Sequence, residues 1–556
     1  MNYSSKSIAS ALTAGVIVDN AGRAIMTTLR NYGVDTVFGI PGTHNLELYR
    51  PLKELGIRPV TSRHEQGAGY GADGWSQQTG LPGIVITTSG PGLLNALSAA
   101  GTAYCESRPL IILSPGASEG QEFADNGALH ETKNPTGAVG AIVEWSRRVH
   151  SATEAVQAVH DAFELFRYGR PRPVHIEVPL NILEGLSDCP ESLKRARPVR
   201  ASMEADYGDV LAAAKTLRQA LRPLIIAGGG ALRSSSDLSS LAELLNAPVI
   251  TTLNGKAAIP EAHALSLASD IRLPSMQTFI NDSDAILIVG SKLGDAELWG
   301  GTISPVGIVV RIDILESQLQ KNVKSEISLV GDSSTVIRQL MECLLECAKS
   351  QPSVSFHKLQ HRSEQLDSVR LEAAAEARSI SPQLYSIAKA IAGALPENAI
   401  VSGDSSQITY FGMSSVVRQD LAHSFLYTPT YATLGYGLPA SIGAKVASPH
   451  RPVICVLGDG ALMFSIQELM TAVEQEISIT VVCVDNGGYG EILQNERDRG
   501  IEPVGVVLRQ PDWVELANAF GARGYLIADL EELSLVVARV INAPGVDVLH
   551  VPLHRF

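Results

Sequence analysis

The stretch that decides the fold is PVICVLGDGALMFSIQELMTAVEQEISITVVCVDNGG, residues 452–488. It begins with a β-branched run that ends in the GDG of residues 458–460, continues with a helical pattern, and closes with a second β-branched run ending at Asp485 and Asn486. A strand, a helix and a strand in this order form a right-handed crossover, so the two strands are parallel and their carboxyl ends share one edge of a sheet. Asp459 and Asn486 are therefore predicted to face a common site.

The oxygen atoms at this edge suit a hard divalent cation. The carboxylate of Asp459, the amide oxygen of Asn486 and a backbone carbonyl from the following Gly-Gly turn are the kinds of ligand that Mg²⁺ takes, with its other positions left for phosphate oxygens. Gly460 allows the backbone to approach those phosphates, and a helix predicted to begin near Ala461 adds N–H donors and a favourable dipole. A tight turn without a ligand is the alternative for an isolated GDG, and the spaced set favours the metal site.

Outward from this stretch, the same pattern of β-branched run, Gly or Pro, and amphipathic segment recurs along most of the chain. It predicts an α/β protein with three doubly wound, parallel-sheet domains at residues 1–190, 200–345 and 375–556. The segment 189–206, rich in Pro and charge, is interpreted as a linker, and the polar stretch 348–380 as a linker plus a surface helix. The first and third domains could share a topology.

Composition narrows the classes of partner. The formal net charge is −14, which argues against nucleic acid or an anionic membrane surface as the main partner and favours a small molecule. No apolar run approaches the roughly 20 residues of a membrane-spanning helix, and residues 8–18 are interpreted as an N-terminal lead-in rather than a signal peptide. Six scattered cysteines without a C-x-x-C pair fit a reducing compartment, so a cytoplasmic location is expected.

The GDG and the later Asn together resemble the signature of the thiamine diphosphate enzyme superfamily, in which an Asn pair follows the GDG. Here Asp485 replaces the first Asn of that pair. The resemblance implies thiamine diphosphate and Mg²⁺ as cofactors, a pyrimidine-binding N-terminal domain and a diphosphate-binding C-terminal domain. It also implies that Asp459, Asn486 and the carbonyl of Gly488 bind the metal. Further cofactor contacts are expected from Gly458, Gly460, Ala461 and Tyr489.

Glu65 is the N-terminal residue on which the resemblance depends most. It follows the strand-like RPVTS and opens the segment QGAGYGADGWSQ. In the family, a Glu at this point hydrogen-bonds N1′ of the aminopyrimidine and so helps the 4′-nitrogen take the proton from thiazolium C2. A Glu at a helix start also serves simply to compensate the dipole, which is the alternative for this residue taken alone.

Two further segments match parts of the family's cofactor site. ATLGYGLPA, residues 432–440, resembles the segment that holds the bent cofactor, with Leu434 between its rings and the carbonyl of Ala432 accepting from the 4′-amino group; a helix entry with a core Leu is the alternative. The GDSSQ loop after the strand-like ENAIV offers its polar side chains to the diphosphate. These are Ser405, Ser406 and Gln407.

The residues nearest the substrate are predicted from strand ends in the N-terminal domain. Thr43 and Thr88 are expected to contact substrate, and His44 and His130 are candidate catalytic groups, because an imidazole with a pKa near neutrality can transfer protons. A structural histidine is the alternative for each of them. The TSGPG of residues 88–92 and the GIPG of residues 39–42 also match the family.

Residues 486–492 and 499–513 resemble the 5-guanidino-2-oxopentanoate (2-ketoarginine) decarboxylase branch, which is close to the acetolactate synthase family. The expected reaction is the non-oxidative decarboxylation of a 2-oxo acid to an aldehyde and CO₂, with 4-guanidinobutanal as the product for that branch. Glu491 is the candidate partner of the guanidinium, and a solvated helix face is its alternative. An acetolactate synthase-like carboligase and a catalytically silent cofactor-binding paralogue are the other functions considered.

The resemblance also bears on assembly and on the central domain. In the family, the Glu and the GDG belong to different subunits, so a homodimer is the expected minimum and a homotetramer the expected assembly. The Gly run at residues 228–230 lacks the full G-x-G-x-x-G spacing of a dinucleotide fingerprint. No flavin is therefore expected.

Overall fold

The computed structural model describes residues 19–350 and 357–556. These residues form two compact units that divide after Val199. The segment 8–18, interpreted above as a lead-in, lies outside the described residues. Among those described, no helix combines the length and the apolar character needed to cross a membrane.

The N-terminal unit is built on a six-stranded parallel sheet of order β2-β1-β3-β4-β6-β5. Its strands are β1 Thr36–Gly39, β2 Arg58–Thr61, β3 Gly83–Ile86, β4 Leu110–Gly116, β5 Trp145–Arg148 and β6 Val174–Pro179. Its helices are α1 Ala21–Asn31, α2 Leu46–Tyr49, α3 Leu52–Leu55, α4 Glu65–Thr79, α5 Pro91–Asn95, α6 Leu97–Glu106, α7 Pro135–Gly140, α8 Ala152–Tyr168 and α9 Leu180–Leu183.

The second unit contains two sheets, of which the first is a five-stranded parallel sheet of order β11-β10-β9-β7-β8. Its strands are β7 Pro223–Ala227, β8 Val249–Thr251, β9 Ala285–Val289, β10 Ile308–Asp313 and β11 Ile327–Val330. Its helices are α10 Tyr207–Gln219, α11 Ser235–Leu245, α12 Pro274–Asn281, α13 Asp295–Leu298, α14 Ser333–Ser350 and α15 His357–Ile380. Short 3₁₀ turns lie at Gly229–Ser234, Leu253–Gly255 and Glu316–Gln318.

The C-terminal sheet has six parallel strands in the order β13-β12-β14-β15-β17-β16. Its strands are β12 Ile400–Gly403, β13 Phe425–Leu426, β14 Val453–Gly458, β15 Ile479–Asp485, β16 Arg523–Leu526 and β17 Val546–Pro552. Its helices are α16 Pro382–Ala392, α17 Ser414–Val416, α18 Gly437–Ala447, α19 Asp459–Leu462, α20 Glu468–Glu474, α21 Gly490–Asp498, α22 Trp513–Ala519 and α23 Leu530–Val540. A π-helical turn covers Ile408–Met413 and a 3₁₀ turn covers Leu553–Arg555.

Numbered from its own first strand, the C-terminal sheet has the same strand order as the N-terminal sheet. The suspected shared topology of the first and third domains is thus confirmed. Strands such as β9 and β15 are rich in β-branched and other apolar residues and are almost wholly buried. Continuous apolar strands of this kind are expected where helices cover both faces of a parallel sheet. The prediction of three parallel α/β sheets is confirmed, whereas the domain ranges 1–190, 200–345 and 375–556 stay predictions.

The segments between the domains differ in how well the sequence anticipated them. Residues 189–206 contain no helix or strand, as the linker interpretation expected. In the stretch 348–380, however, α15 is more than a surface helix, because Leu366, Val369, Ala373 and Ala377 along one of its faces join the core of the central sheet. The low apolar content of the stretch as a whole hid this single buried stripe.

The Gly run at residues 228–230 has a packing role in the fold. A Cβ on Gly230 would lie 2.9 Å from the Cα of Gly290, the residue that follows β9. The backbones after β7 and β9 therefore approach each other too closely for a side chain at position 230, which gives Gly230 a packing role.

A buried ion pair joins the central and C-terminal domains within the second unit. Lys256 Nζ donates to Glu261 Oε1 at 2.8 Å and to the Ser414 carbonyl at 3.1 Å, and Gln419 N donates to Glu261 Oε2 at 2.7 Å. The side chains of Lys256 and Glu261 are 1% and 0% exposed. Removing one charge from such a pair leaves the other charge buried and uncompensated, which is costly.

We therefore expect the Lys256→Met variant to lose about 3–5 kcal/mol of unfolding free energy, measured by denaturant unfolding. The control is Arg338→Ala, which breaks the exposed pair between Arg338 and Asp237 and should cost less than about 1 kcal/mol. An equal cost for both variants would contradict the role given to the buried pair.

Candidate active site

The C-terminal sheet has one position where a ligand crevice is expected. Strand β12 lies between β13 and β14, so the next two strands of the chain lie on opposite sides of β12 and the strand order reverses there. In open parallel sheets, ligands bind outside the carboxyl ends of the strands at such a switch point. The loop that follows β12 carries Ser405 to Gln407, and β14 leads directly into the GDG of residues 458–460.

Three oxygen atoms converge beside this crevice. Asn486 Oδ1 lies 3.2 Å from Asp459 Oδ1 and 2.9 Å from the carbonyl oxygen of Gly488. Three acceptors this close repel one another unless a cation lies between them. In an octahedral Mg²⁺ site, where metal–oxygen distances are about 2.0–2.1 Å, neighbouring ligand oxygens lie about 3 Å apart.

The Asn486 amide can be turned over so that its nitrogen donates to Asp459 Oδ1 at 3.2 Å and to the Gly488 carbonyl at 2.9 Å, whereas its contact with Gln407 favours the orientation that presents its oxygen. In that orientation, Asn486 Nδ2 donates to Gln407 Oε1 at 3.4 Å. Turning the amide over would place two oxygen atoms against each other at that contact, because Gln407 Nε2 already donates to Glu491 Oε2 at 3.0 Å. The orientation with the oxygen towards Asp459 therefore suits a metal ligand, whereas the turned amide suits a hydrogen-bond donor to Asp459 and Gly488.

Asp459 is a buried carboxyl group in an environment that suits the binding of a cation. It is 1% exposed, and its Oδ2 atom is buried without a hydrogen-bond partner among the described residues. Burial, followed by the neighbouring charge of Asp485, raises the pKa of Asp459 to about 6. A bound divalent cation would reverse this shift and satisfy the orphaned oxygen, so the residues present fit Mg²⁺.

The helix after the metal loop differs from the prediction in its details. Helix α19 begins at Asp459 rather than near Ala461, and the stretch predicted as one helix is divided into α19 and α20. The first turn of α19 has no side-chain cap, and Gly458 and Ala461 lie at and within it. A Cβ on Gly460 would lie 3.0 Å from the ring of Tyr489, so the backbone there is closely covered by that ring.

The GDSSQ loop ties the strand ends together. Ser406 Oγ accepts a hydrogen bond from Gly458 N at 3.0 Å, which holds this loop against the GDG. Gln407 bridges Asn486 and Glu491 through its two amide atoms. Ser405 is half-buried beside them. The three predicted phosphate-binding side chains thus lie at the switch point, although Ser406 and Gln407 already hold protein partners there.

Asp404 is a site residue that the sequence reasoning missed. Its buried carboxylate accepts hydrogen bonds from Gly437 N at 2.8 Å and from Gly435 N at 3.1 Å. Burial raises the pKa of Asp404 to about 6. By holding these two amides, Asp404 fixes the turn that carries Ala432, whose φ is +52°, and the half-exposed Leu434. An acidic residue directly after a buried strand was the available signal.

The N-terminal unit has the corresponding switch point, where β1 lies between β2 and β3. Glu65, the first residue of α4, is 7% exposed and accepts a hydrogen bond from Asn95 Nδ2 at 3.0 Å. A Cβ on Gly92 would lie 2.9 Å from Glu65 Oε1 and 2.8 Å from Thr88 Cγ2. Glu65 and Thr88 therefore border the same small space, which Gly92 keeps open.

Two predicted histidines meet at this edge. His44 Nδ1 lies 2.6 Å from Ser89 Oγ, and Ser89 Oγ lies 3.4 Å from His130 Nδ1. Burial and the neighbouring His130 lower the pKa of His44, so its ring is neutral near pH 7. Thr43 is exposed next to His44. The sequence did not predict that Ser89 bridges the two rings, because the contact spans three separate loops.

Family profiles identify the class to which this fold and these residues belong. The thiamine pyrophosphate enzyme N-terminal TPP binding domain matches residues 19–135, the central domain matches residues 210–340, and the C-terminal TPP binding domain matches residues 407–551. The chain belongs to the thiamine pyrophosphate enzyme family. Thiamine diphosphate is therefore its cofactor, and Mg²⁺ is the usual partner metal in this family.

Individual relatives cover nearly the whole chain. The chain is 36% identical over 540 residues to the probable 2-ketoarginine decarboxylase AruI of Pseudomonas aeruginosa, covering 95% of this chain and 93% of that protein. It is 31% identical over 531 residues to the acetolactate synthase isozyme 3 large subunit of Escherichia coli, covering 93% and 91%. It is 30% identical over 531 residues to a probable acetolactate synthase large subunit of Methanocaldococcus jannaschii, covering 92% and 88%.

We expect Glu65→Gln to lower kcat by about 10²- to 10⁴-fold, because an amide cannot supply the carboxyl group that tunes proton transfer. Steady-state turnover measures the loss, and the thermal unfolding midpoint should stay close to that of the unchanged protein. Glu54→Gln, which alters the exposed carboxylate paired with Arg23, is the control and should leave turnover intact. Full turnover by the Glu65→Gln variant would refute the role expected for Glu65.

Proposed function

We propose that this protein decarboxylates a 2-oxo acid without oxidation, releasing CO₂ and an aldehyde. We propose 5-guanidino-2-oxopentanoate as the substrate and 4-guanidinobutanal as the product. The observation that carries the choice of substrate is the position of the Glu491 carboxylate, which is held beside the metal-binding turn. The similarity to a protein named as a probable 2-ketoarginine decarboxylase supports the same choice.

The contacts of Glu491 favour a binding role over a solvated helix face. Glu491 lies in the first turn of α21 and is half-buried. Its Oε2 atom accepts hydrogen bonds from Gln407 Nε2 at 3.0 Å and from Tyr410 OH at 3.2 Å. Among the described residues, Oε1 accepts no hydrogen bond. A carboxylate fixed at one oxygen and open at the other can accept charge-assisted hydrogen bonds from a guanidinium.

Tyr410, which fixes Glu491, is itself held firmly. It is 8% exposed and lies in the π-helical turn Ile408–Met413, a type of element found frequently at functional sites. The rings of Phe411 and Trp299 pack against it edge to face, with centroids at 4.7 Å and 5.4 Å. Glu491 is therefore positioned before any substrate arrives, which lowers the entropic cost of binding.

The remaining residues receive roles consistent with their positions. Bound thiamine diphosphate supplies the carbon nucleophile and the electron sink for the cleavage. Asp459, Asn486 and the carbonyl of Gly488 would hold Mg²⁺, and Glu65 would hold a proton at its carboxyl group. His44, neutral near pH 7, could give or take a proton near the substrate together with His130.

Further groups complete the proposed site. Thr43 and Thr88 would orient the 2-oxo acid. Contacts to the cofactor are proposed for Ser405, Ser406, Gln407, Ala432, Leu434, Gly458, Gly460, Ala461 and Tyr489.

We also propose a cytoplasmic homotetramer with a homodimer as its minimum unit. Large apolar side chains are exposed close to the candidate site in the second unit, namely Tyr431, Met463 and Phe464 at 43%, 50% and 48%. Exposed apolar patches of this kind mark interaction surfaces, and a second copy of the chain would cover them. The family resemblance, with its Glu and GDG on different subunits, points to the same assembly.

Sedimentation velocity tests the assembly. A dimer or tetramer of the 59.1 kDa chain is expected, and Phe464→Glu should shift the distribution towards monomer because it places a charge in an apolar contact. The exposed Leu535→Glu change on α23, at a residue 65% exposed, is the control. A monomer that turns over substrate would contradict the proposed dimer.

A carboligase of the acetolactate synthase type is the second candidate, since two relatives of 31% and 30% identity carry that name. Purified protein supplied with pyruvate alone separates the two functions. Acetolactate accumulating faster than acetaldehyde would support the carboligase. A catalytically silent paralogue is disfavoured because Glu65, Asp459 and Asn486 are all present.

Substrate preference is tested with a panel of 2-oxo acids and detection of CO₂. We expect the guanidino acid to be preferred over pyruvate, benzoylformate and 2-oxoisovalerate. In Glu491→Gln, kcat/KM for the guanidino acid should fall by about 10- to 100-fold relative to that for uncharged 2-oxohexanoate, because a hydrogen bond to a charged group contributes roughly 1.5–3 kcal/mol.

Asp498→Asn is the matched control, since Asp498 is an exposed acid on the same helix. It should leave the ratio of the two kcat/KM values unchanged. A preference of the unchanged protein for an aromatic acid would overturn the proposed substrate. An unaltered ratio in Glu491→Gln would remove Glu491 from the binding site.

A further inference from the structure

Asp485 lies directly before the metal-binding turn and hydrogen-bonds to its backbone. It is the last residue of β15, and its Oδ1 atom accepts a hydrogen bond from Gly487 N at 2.9 Å. Its Oδ2 atom lies 2.9 Å from His550 Nε2. His550 belongs to the neighbouring strand β17, where it pairs with Cys483, two residues before Asp485 and on the same face of the sheet.

These contacts fix the part of the turn formed by Gly487 and Gly488, whose backbone conformation is restricted. Gly487 and Gly488 have φ values of +84° and +142°, so the turn depends on a backbone that favours glycine. On its other side, Leu508 N donates to the carbonyl of Gly487 at 2.8 Å, and Tyr489 N donates to the carbonyl of Val506 at 2.9 Å. The hydrogen bond to Asp485 and the two backbone hydrogen bonds together fix the turn and the direction of the Gly488 carbonyl.

Asp485 also brings a second carboxylate to the turn. Asp459 Oδ1 accepts a hydrogen bond from Asn486 N at 3.3 Å, and Asp485 Oδ1 accepts one from Gly487 N, the next amide of the turn. Two carboxylates that accept from consecutive amides of one turn repel each other, and a divalent cation between the turn and Asp459 would relieve that repulsion. The affinity of oxygen sites for divalent cations rises with the number of charges and with the rigidity of the site.

We propose that Asp485, held by His550, is a positioning residue of the Mg²⁺ site that raises its affinity for the cation by fixing the Asn486–Gly488 turn and by adding a second negative charge. This inference does not depend on the substrate proposed above. Groups that orient metal ligands from behind commonly change metal affinity by about 10- to 100-fold when they are altered.

The test titrates Mg²⁺ into the full-length, cofactor-stripped protein at a fixed concentration of thiamine diphosphate and follows cofactor binding by calorimetry. Asp485→Asn keeps the shape of the side chain and removes its charge, and it should raise the half-saturating Mg²⁺ concentration by about tenfold or more. His550→Asn leaves the carboxylate charged but alters its support, so a smaller change in the same direction is expected. Glu502→Gln, at an exposed acid in the segment that follows α21, should cause no change.

Asp459→Asn separates failure of this inference from failure of the metal site itself. If Asp459→Asn weakens Mg²⁺ binding while Asp485→Asn and His550→Asn do not, the role of Asp485 is overturned and the metal site stands. If Asp459→Asn also leaves the Mg²⁺ dependence unchanged, both assignments are wrong. Should Asp485→Asn fail to fold by circular dichroism, the His550→Asn titration decides the question alone.

Discussion

The pairing of β14 with β15 is the constraint on which the rest of the site depends. In this parallel pair, Gly458 lies opposite Val484, so the segments that follow the two strands leave the sheet side by side. That register places the Asp459 carboxylate next to Asn486 and Gly488, and the side-chain oxygen of Asn486 lies within 3.2 Å of both an Asp459 oxygen and the Gly488 carbonyl oxygen. A slip of the register would separate them, because successive residues point to opposite faces of a sheet.

The N-terminal and C-terminal sheets place their candidate site residues in a similar way. Both have the same strand order, and in both the polar site residues lie in loops that follow the carboxyl ends of the strands at and beside the switch point. The N-terminal sheet carries a group centred on Glu65 and the pair His44 and His130, while the C-terminal sheet carries the oxygen cluster around Asp459. Each unit thus holds one part of the residue set on which the proposed function draws.

The sequence was sufficient to predict the features that depend on short motifs or on the order of the strands. The GDG after a buried strand, and Glu65 at the start of a helix, are visible as short motifs, and parallel pairing alone brings Asp459 to Asn486. The sequence alone could not predict the hydrogen bond between Gln407 and Glu491, which are 84 positions apart. Nor could it predict that Asp404 fixes the turn that carries Ala432. Such contacts depend on how loops fold over one another, and a polar side chain in a loop does not show its partner in the sequence.

The most direct measurement is the position of the metal in a crystal of the protein with thiamine diphosphate and Mn²⁺, located by anomalous scattering. The account predicts one Mn²⁺ at coordination distance, about 2.0–2.3 Å, from Asp459, the Asn486 side-chain oxygen and the Gly488 carbonyl, with its other ligands from the diphosphate. A cofactor bound with its metal held by other residues, or bound without any metal, would contradict it.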